Sequence, residues 1–322
     1  MRFPKGYLVA AVVGGALCAA GQWAWAAFPP CHREYDLLAP NRRCNDALEF
    51  GEWDYEPMRE QLSDQVAAWR SAGVVSEMSI YFRDLTNGPR FRIGEYAGFQ
   101  PASLSKVPVM IALLHEADLD PAVLEKTLSF SGSLNVNDNV DEPSETIRPN
   151  TEYTVRELIE KMIVYSDNYS YKVLVKDMNE SPPVLAYLTF RDLNVQRMMT
   201  APNADVVSIL PYGDLFAVLY NTGYLTRASS QYALGLLSQS TFAEGLVAGV
   251  PKGTVVAHKF GRRVLDGADD QLHDCGIVYH PAATYVLCVM TSSSDYQAQK
   301  RAIAEVSRVV YDGVSEQHAG AR

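Results

Sequence analysis

Residues 254–291 read TVVAHKFGRRVLDGADDQLHDCGIVYHPAATYVLCVMT. Three runs within them, Thr254–Phe260, Cys275–His280 and Thr284–Thr291, are rich in Val, Ile, Tyr and Cys and are separated by Gly, Asp and Pro, the composition of β-strands joined by turns. A turn centred on Pro281-Ala282 pairs the last two runs antiparallel and sets Cys275 opposite Cys288. Immediately beyond, Asp295–Tyr311 reads as a helix with Ala298, Ala302, Val306 and Val309 on one stripe, and Gly313 is expected to stop it.

The same two signals recur near the start. Tyr55–Ala72 places Met58, Leu62, Val66 and Trp69 at helical spacing. Val75–Leu85, an Asn87-Gly88 turn and Arg90–Tyr96 then read as a hairpin. Between the two ends the pattern is helical. Pro101 opens a run through His115, with Pro108 as an expected irregularity. The stretch Pro121–Ser240 reads mostly as helices and loops. In it, Thr154–Tyr165 carries a capping signal in Thr154 and Glu157, and 183–190 and 213–222 are further helices. Strands from the two chain ends must share one sheet to bury their faces. The expected fold is therefore an α/β (α+β) sandwich, flanked by N- and C-terminal helices and carrying an inserted all-helical subdomain.

The chain has 322 residues, 48% of them hydrophobic and 20% charged, enough apolar material for a large core and too little charge for a disordered chain. The net charge is -10, and residues 1–27 contribute only the positive charges of Arg2 and Lys5. No Lys/Arg run offers a phosphate-binding stripe, so nucleic acid is not an expected partner. Arg2 and Lys5 precede an apolar run from Tyr7 to Ala20, and Ala24-Trp25-Ala26 resembles a cleavage site. Residues 1–27 are thus a signal peptide or a retained membrane anchor, and either places the rest outside the cytoplasm. Contact with a membrane is expected only through this segment. Leu17 before Cys18 argues against a lipid-modified cysteine.

Residues 28–55 read as a stalk, 56–316 as the folded domain and 317–322 as a tail, and the domain is expected to be a monomer. Cysteines suit an oxidising compartment. Cys31 and Cys44 flank a polar segment without a core of its own and are expected to be bridged. For Cys275 and Cys288, a disulfide and a pair of buried thiols both remain open. A zinc site built from these with His273 or His280 lacks C-x-x-C spacing and is disfavoured.

Three short patterns follow one another: Ser103-Leu104-Ser105-Lys106, Ser166-Asp167-Asn168 and Lys259-Phe260-Gly261. Each alone is unremarkable, since serine and lysine are common on helices and Ser-Asp-Asn makes turns. Together they describe a site. Positions i and i+3 share a helix face, so Lys106 meets the Ser103 hydroxyl. A serine is a weak nucleophile until a base takes its proton. A lysine becomes that base when burial and a second cation, here Lys259, lower its pKa. Ser166 is placed to relay a proton to a leaving nitrogen and Asn168 to bind a substrate amide. Gly261 and Arg262 border the cleft, and the backbone N–H groups of Ser103 and Arg262 are the expected oxyanion hole. His258, His273, His280 and Glu116 read as strand, edge or solvated residues, and Asp274 as a local hydrogen-bond acceptor. Of Tyr165, Tyr169 and Tyr171, at most one is expected to face substrate.

The trio resembles the signature of the serine β-lactamase and penicillin-binding protein superfamily, with the class A branch the most similar. Pro101-Ala102 ahead of S-x-x-K, Tyr165 ahead of S-D-N and the run Gly249–His258 add to the likeness, which covers about residues 56–313. It implies a five-stranded antiparallel sheet between helices, a serine hydrolase acting on β-lactam or peptidoglycan stem-peptide carbonyls, and no metal or organic cofactor. Two features depart from it. Class A enzymes hold a water-activating glutamate in a loop between S-D-N and K-x-G. Here that stretch, Arg197–Pro211, contains no glutamate, and Asp205 is its one carboxylate. Phe260 also stands where the family has Thr. The expectation is acylation on Ser103 with impaired deacylation. The alternatives are a peptidoglycan D,D-peptidase or transpeptidase and a non-catalytic muropeptide-binding protein.

Overall fold

Five strands form one antiparallel sheet in the order β2-β1-β7-β6-β5 in the computed structural model, which describes residues 36–39, 55–86, 89–133, 145–180, 189–195, 208–265 and 267–319. These strands are β1 (Glu77–Asp84), β2 (Arg90–Ile93), β5 (Val256–Arg263), β6 (Asp270–Val278) and β7 (Tyr285–Ser293). The first and last strands meet as expected, because β1 pairs with β7 along its whole length, from Glu77 opposite Ser292 to Asp84 opposite Tyr285. The turn at Pro281-Ala282 sets the register foreseen for β6 and β7. Cys275 lies opposite Cys288, and the two are joined as a disulfide.

Strand geometry sends alternate residues to opposite faces. One face carries Met78, Ile80, Phe82, Leu287 and Val289 and packs on two helices from the chain ends, α1 (Glu56–Ser71) and α7 (Tyr296–Ala319). The stripe Met58, Leu62, Val66 of α1 and Ala302, Val306, Val309 of α7 are both buried there. α7 does not stop at Gly313. A Cβ at that position would lie 2.6 Å from Met58 Sδ, so the glycine lets the two helices cross closely rather than capping one, and buried Val314 continues the stripe.

On the opposite side lie the helices of the middle segment, α2 (Lys106–Leu119), α3 (Val155–Val164), α4 (Asn168–Glu180), α5 (Leu210–Tyr220) and α6 (Arg227–Leu237), of which α5 and α6 pack on the sheet and the others pack behind them. A short ribbon, β3 (Thr127–Ser129) with β4 (Glu152–Thr154), joins them. α3 begins with the capping box read from Thr154 and Glu157. A 3-10 turn, Ala102–Ser105, runs straight into α2. Pro108 does not break that helix, because it lies in the first turn, where a backbone N–H has no intrahelical acceptor.

Leu37–Ala39 belongs to the same compact unit as Glu49–Arg322. Leu37 N–H donates to Gln231 Oε1 (3.1 Å) and Leu37 O accepts from Tyr279 Oη (2.8 Å). Residues 1–27, Cys31, Cys44, Asn87-Gly88, most of 183–190, and Asp205 with the greater part of Arg197–Pro211 lie outside the described residues.

Candidate active site

Three elements bring the three motifs to one point. The 3-10 turn presents Ser103 ahead of α2, the turn before α4 presents Ser166, and β5 presents Lys259. Lys106, one turn beyond Ser103, is buried at 1% exposure. Its Nζ lies 3.0 Å from Ser103 Oγ and 3.1 Å from Ser166 Oγ, and it donates to Ser166 O (2.5 Å) and Asn168 Oδ1 (2.6 Å). Lys259 Nζ donates to Ser166 Oγ (2.9 Å) and to Phe260 O (3.0 Å). Ser166 thus stands between two amines that lie far apart in the chain.

Burial drives the Lys106 pKa well below its usual value, and the charge of Lys259 pushes it the same way against an opposing pull from Asp167. A neutral amine has two N–H bonds and one lone pair. Two carbonyl oxygens, Ser166 O and Asn168 Oδ1, take both N–H groups and leave the lone pair to the hydroxyls of Ser103 and Ser166.

The turn carrying Ser166 is held from beneath by Asp167, which is fully buried. Its carboxylate accepts from Ser170 N (2.9 Å), Ser170 Oγ (2.6 Å), Tyr169 N (3.3 Å) and Thr146 Oγ1 (2.6 Å), capping α4 at its first turn. Two residues of the site have left-handed backbones: Ala102 at φ 49° just before Ser103, and Ser166 at φ 58°. Such conformations cost about 1–2 kcal/mol each for a residue with a Cβ and persist because the surroundings fix them.

β5 aligns the second wall. Lys259, Gly261 and Arg263 alternate onto the face toward Ser103, while His258, Phe260 and Arg262 point to the α7 side. Phe260 stacks on Phe242 at 4.2 Å in the core, and Lys259 Nζ lies 4.2 Å from the centre of its ring, so the ring packs against the second lysine from behind. Gly261 is where the strand meets the turn that carries Ser103. A Cβ there would lie 3.0 Å from Pro101 O and 3.1 Å from the nitrogens of Ser103 and Leu104. The Arg262 side chain does not join Lys259 and Gly261 on that face. Its guanidinium stacks on Tyr296 at 3.8 Å on the other face.

His273 and His280 are not the surface or sheet-edge groups expected, whereas His258 is the strand residue expected. His273 is fully buried with Nε2 2.9 Å from Gln100 O, and burial pushes its pKa down to about 4. His280 is buried against Tyr311, with Nε2 2.9 Å from Ser315 Oγ. The reason for His273 is that both faces of the sheet are covered, so a polar strand residue is enclosed and paired; His280, just past β6, is enclosed by α7 through Tyr311 and Ser315. His258 is likewise buried, 2.7 Å from Asp274 Oδ1. Asp274 is the local acceptor expected of it, taking also Leu246 N–H at 2.8 Å. Glu116 is half-buried, Tyr169 is buried, and Tyr165 and Tyr171 are half-buried. His273, Gln271 and Asp167 were not singled out from the sequence as parts of the site. The signal available was polar residues at positions that the strand alternation buries.

A family model described as the Beta-lactamase enzyme family matches residues 60–314. No curated protein matches the chain. Among solved structures, PBP-A is 22% identical with a TM-score of 0.67, over 81% of this chain and 97% of that one. A β-lactamase from Chitinophaga pinensis DSM 2588 is 21% identical with a TM-score of 0.67, over 80% and 99%. One from Xanthomonas campestris pv. campestris str. ATCC 33913 is 20% identical with a TM-score of 0.68, over 80% and 98%. A mutant of PBP-A is described as an acyl-enzyme complex with penicillin G. At these identities the structural likeness speaks for the fold alone.

Proposed function

Because this chain belongs to the Beta-lactamase enzyme family, we propose that it is an exported serine hydrolase acylated on Ser103 by β-lactam or peptidoglycan-peptide carbonyls. The observation that carries this reading is the buried Lys106 amine, 3.0 Å from Ser103 Oγ with both of its N–H groups directed at carbonyl oxygens.

In the first step Lys106 Nζ accepts the Ser103 proton as Oγ bonds to the substrate carbonyl carbon. The carbonyl π pair moves onto oxygen, where the N–H groups of Ser103 and Arg262 receive it. The C–N bond then breaks. Its electron pair stays on nitrogen, which takes the proton passed from Lys106 through Ser166 Oγ, and Lys259 keeps that hydroxyl oriented. Asn168, whose Oδ1 accepts from Lys106 Nζ, is the residue assigned to bind a substrate amide. The product is an ester on Ser103 and a free amine, and the charge-neutral Lys106 is restored.

Release of the ester requires a second nucleophile. Arg197–Pro211 contains no glutamate to activate water, so deacylation is slow. The same lack favours a second reading, in which the acyl group passes to an amine, as in a peptidoglycan D,D-peptidase or transpeptidase. Residues 1–27 export the protein or anchor it facing outward.

Rapid mixing with a chromogenic cephalosporin tests this reading. A burst of about one equivalent per enzyme followed by slow turnover supports it. Fast steady turnover without a burst contradicts slow deacylation, and no reaction at all contradicts acylation.

A further inference from the structure

Two side chains of β6 reach out of the sheet to the segment that leads into Ser103. Gln271 Oε1 accepts from Gln100 N–H at 2.8 Å, and His273 Nε2 lies 2.9 Å from Gln100 O. A carbonyl only accepts, so Nε2 carries the proton and donates. Both residues stand on the face of β6 that also holds Cys275, opposite Arg263, Gly261 and Lys259 on β5. Phe99 meets the His273 ring edge-on at 5.3 Å and fixes its plane. Gln100, three residues before Ser103, is therefore gripped at both its N–H and its C=O by one strand.

Little freedom separates that grip from the nucleophile. Pro101 has its φ set by its ring at -65°, and its carbonyl accepts from Leu104 N–H at 3.0 Å. Ala102 is confined to φ 49°. Gly261, directly across from His273, abuts the Ser103 nitrogen. A rotation of the Gln100 peptide is thus carried to Ser103 Oγ and to its N–H, where the oxyanion is to be received.

We propose that His273, assisted by Gln271, is a positioning residue for the nucleophile, acting through the Gln100 peptide to set Ser103 against Lys106 and the β5 edge. This rests on acylation at Ser103. The clamp itself is a statement about the backbone and is measurable without substrate. Burial keeps the imidazole neutral, with a pKa of about 4, so the donor is uncharged at neutral pH and adds no cation beside the two lysines. A side chain serving stability alone would have no reason to move the chemistry.

The test compares His273→Ala with His273→Gln, whose amide restores a donor, in the full-length protein. Penicillin acylation is resolved into the dissociation constant of the first complex and the rate constant of bond formation, and amide hydrogen exchange is followed at Gln100 and Leu104. For His273→Ala the bond-forming constant falls by about a hundredfold, the loss associated with a misplacement near 1 Å, while the first dissociation constant holds within threefold. The Gln100 and Leu104 amides exchange faster, and His273→Gln recovers most of both. An acylation constant within threefold of wild type in folded His273→Ala overturns the proposal, as does unchanged exchange. Should His273→Ala fail to fold, Gln271→Ala, at a half-buried position, reads the other half of the clamp by the same two measurements. If the wild type is not acylated, the functional reading fails, and the exchange data alone decide the clamp.

Discussion

Replacing Lys106 with Met keeps the length of the side chain and removes its amine. Loss of a general base costs about 10²–10⁴ in rate, which is about 3–5 kcal/mol of transition-state stabilisation. Stability changes in two opposing directions. The acceptors Ser166 O and Asn168 Oδ1, now bonded at 2.5 and 2.6 Å, lose their donor, at about 1–3 kcal/mol for each that stays dry. Against this, the wild type carries the cost of an amine whose pKa is held well below 10.5 by burial and by Lys259, about 1.4 kcal/mol per unit of depression. The folded pKa lies below the unfolded one, so between them the unfolded state binds more protons and wild-type stability rises with pH. The variant loses that slope and stands near wild-type stability at neutral pH. Stopped-flow acylation by a chromogenic cephalosporin across pH, with thermal melts, reads both effects. Wild-type acylation falls on the acid side as Lys106 becomes protonated, and the variant lacks that limb. A folded variant acylated within threefold of wild type, with the acid limb intact, refutes Lys106 as the base.

Three further outcomes follow from the same geometry. Lys259→Met removes the neighbouring cation, so the acid limb of the acylation profile moves to higher pH; a limb that stays in place shows that Lys259 does not tune Lys106. Gly261→Ala puts a Cβ 3.0–3.1 Å from Pro101 O and the Ser103 and Leu104 nitrogens, so the turn shifts by a few tenths of an ångström and acylation falls about tenfold; wild-type kinetics in that variant contradict the close approach. His273 titrates near 6.5 unfolded and near 4 folded, so the protein loses up to about 3 kcal/mol as pH falls through that window. Urea unfolding at pH 7, 5 and 4 should show this loss in the wild type and a flatter dependence in His273→Gln, and equal slopes in the two contradict a buried neutral ring.

Much of the fold is legible where one physical signal acts alone. The turn at Pro281-Ala282 fixes the β6–β7 register, because a hairpin leaves no freedom once its centre is placed. Thr154 and Glu157 mark a helix start because each satisfies a backbone N–H that the first turn leaves without a partner. The three motifs each sit in an element of their own, the 3-10 turn before α2, the turn before α4 and the middle of β5. The unread parts are places where two signals compete. β6 begins at Asp270, well before Cys275, because Gln271, His273 and Asp274 interrupt the apolar pattern. Each is polar for a tertiary reason, gripping Gln100 on one face or His258 on the other. Gly313 has the look of a helix stop, and only the position of Met58 in a distant helix reveals it as a crossing point. The roles of Asp167 and Thr146 likewise depend on a contact between segments that no local spacing announces.

Incubation of the full-length protein with penicillin G, followed by intact mass measurement and peptide mapping, tests the central claim most directly. The account predicts one penicilloyl group per chain, carried on the peptide that contains Ser103, long-lived in the wild type and absent from Ser103→Ala. No adduct on the wild type, or an adduct that survives in Ser103→Ala, contradicts it.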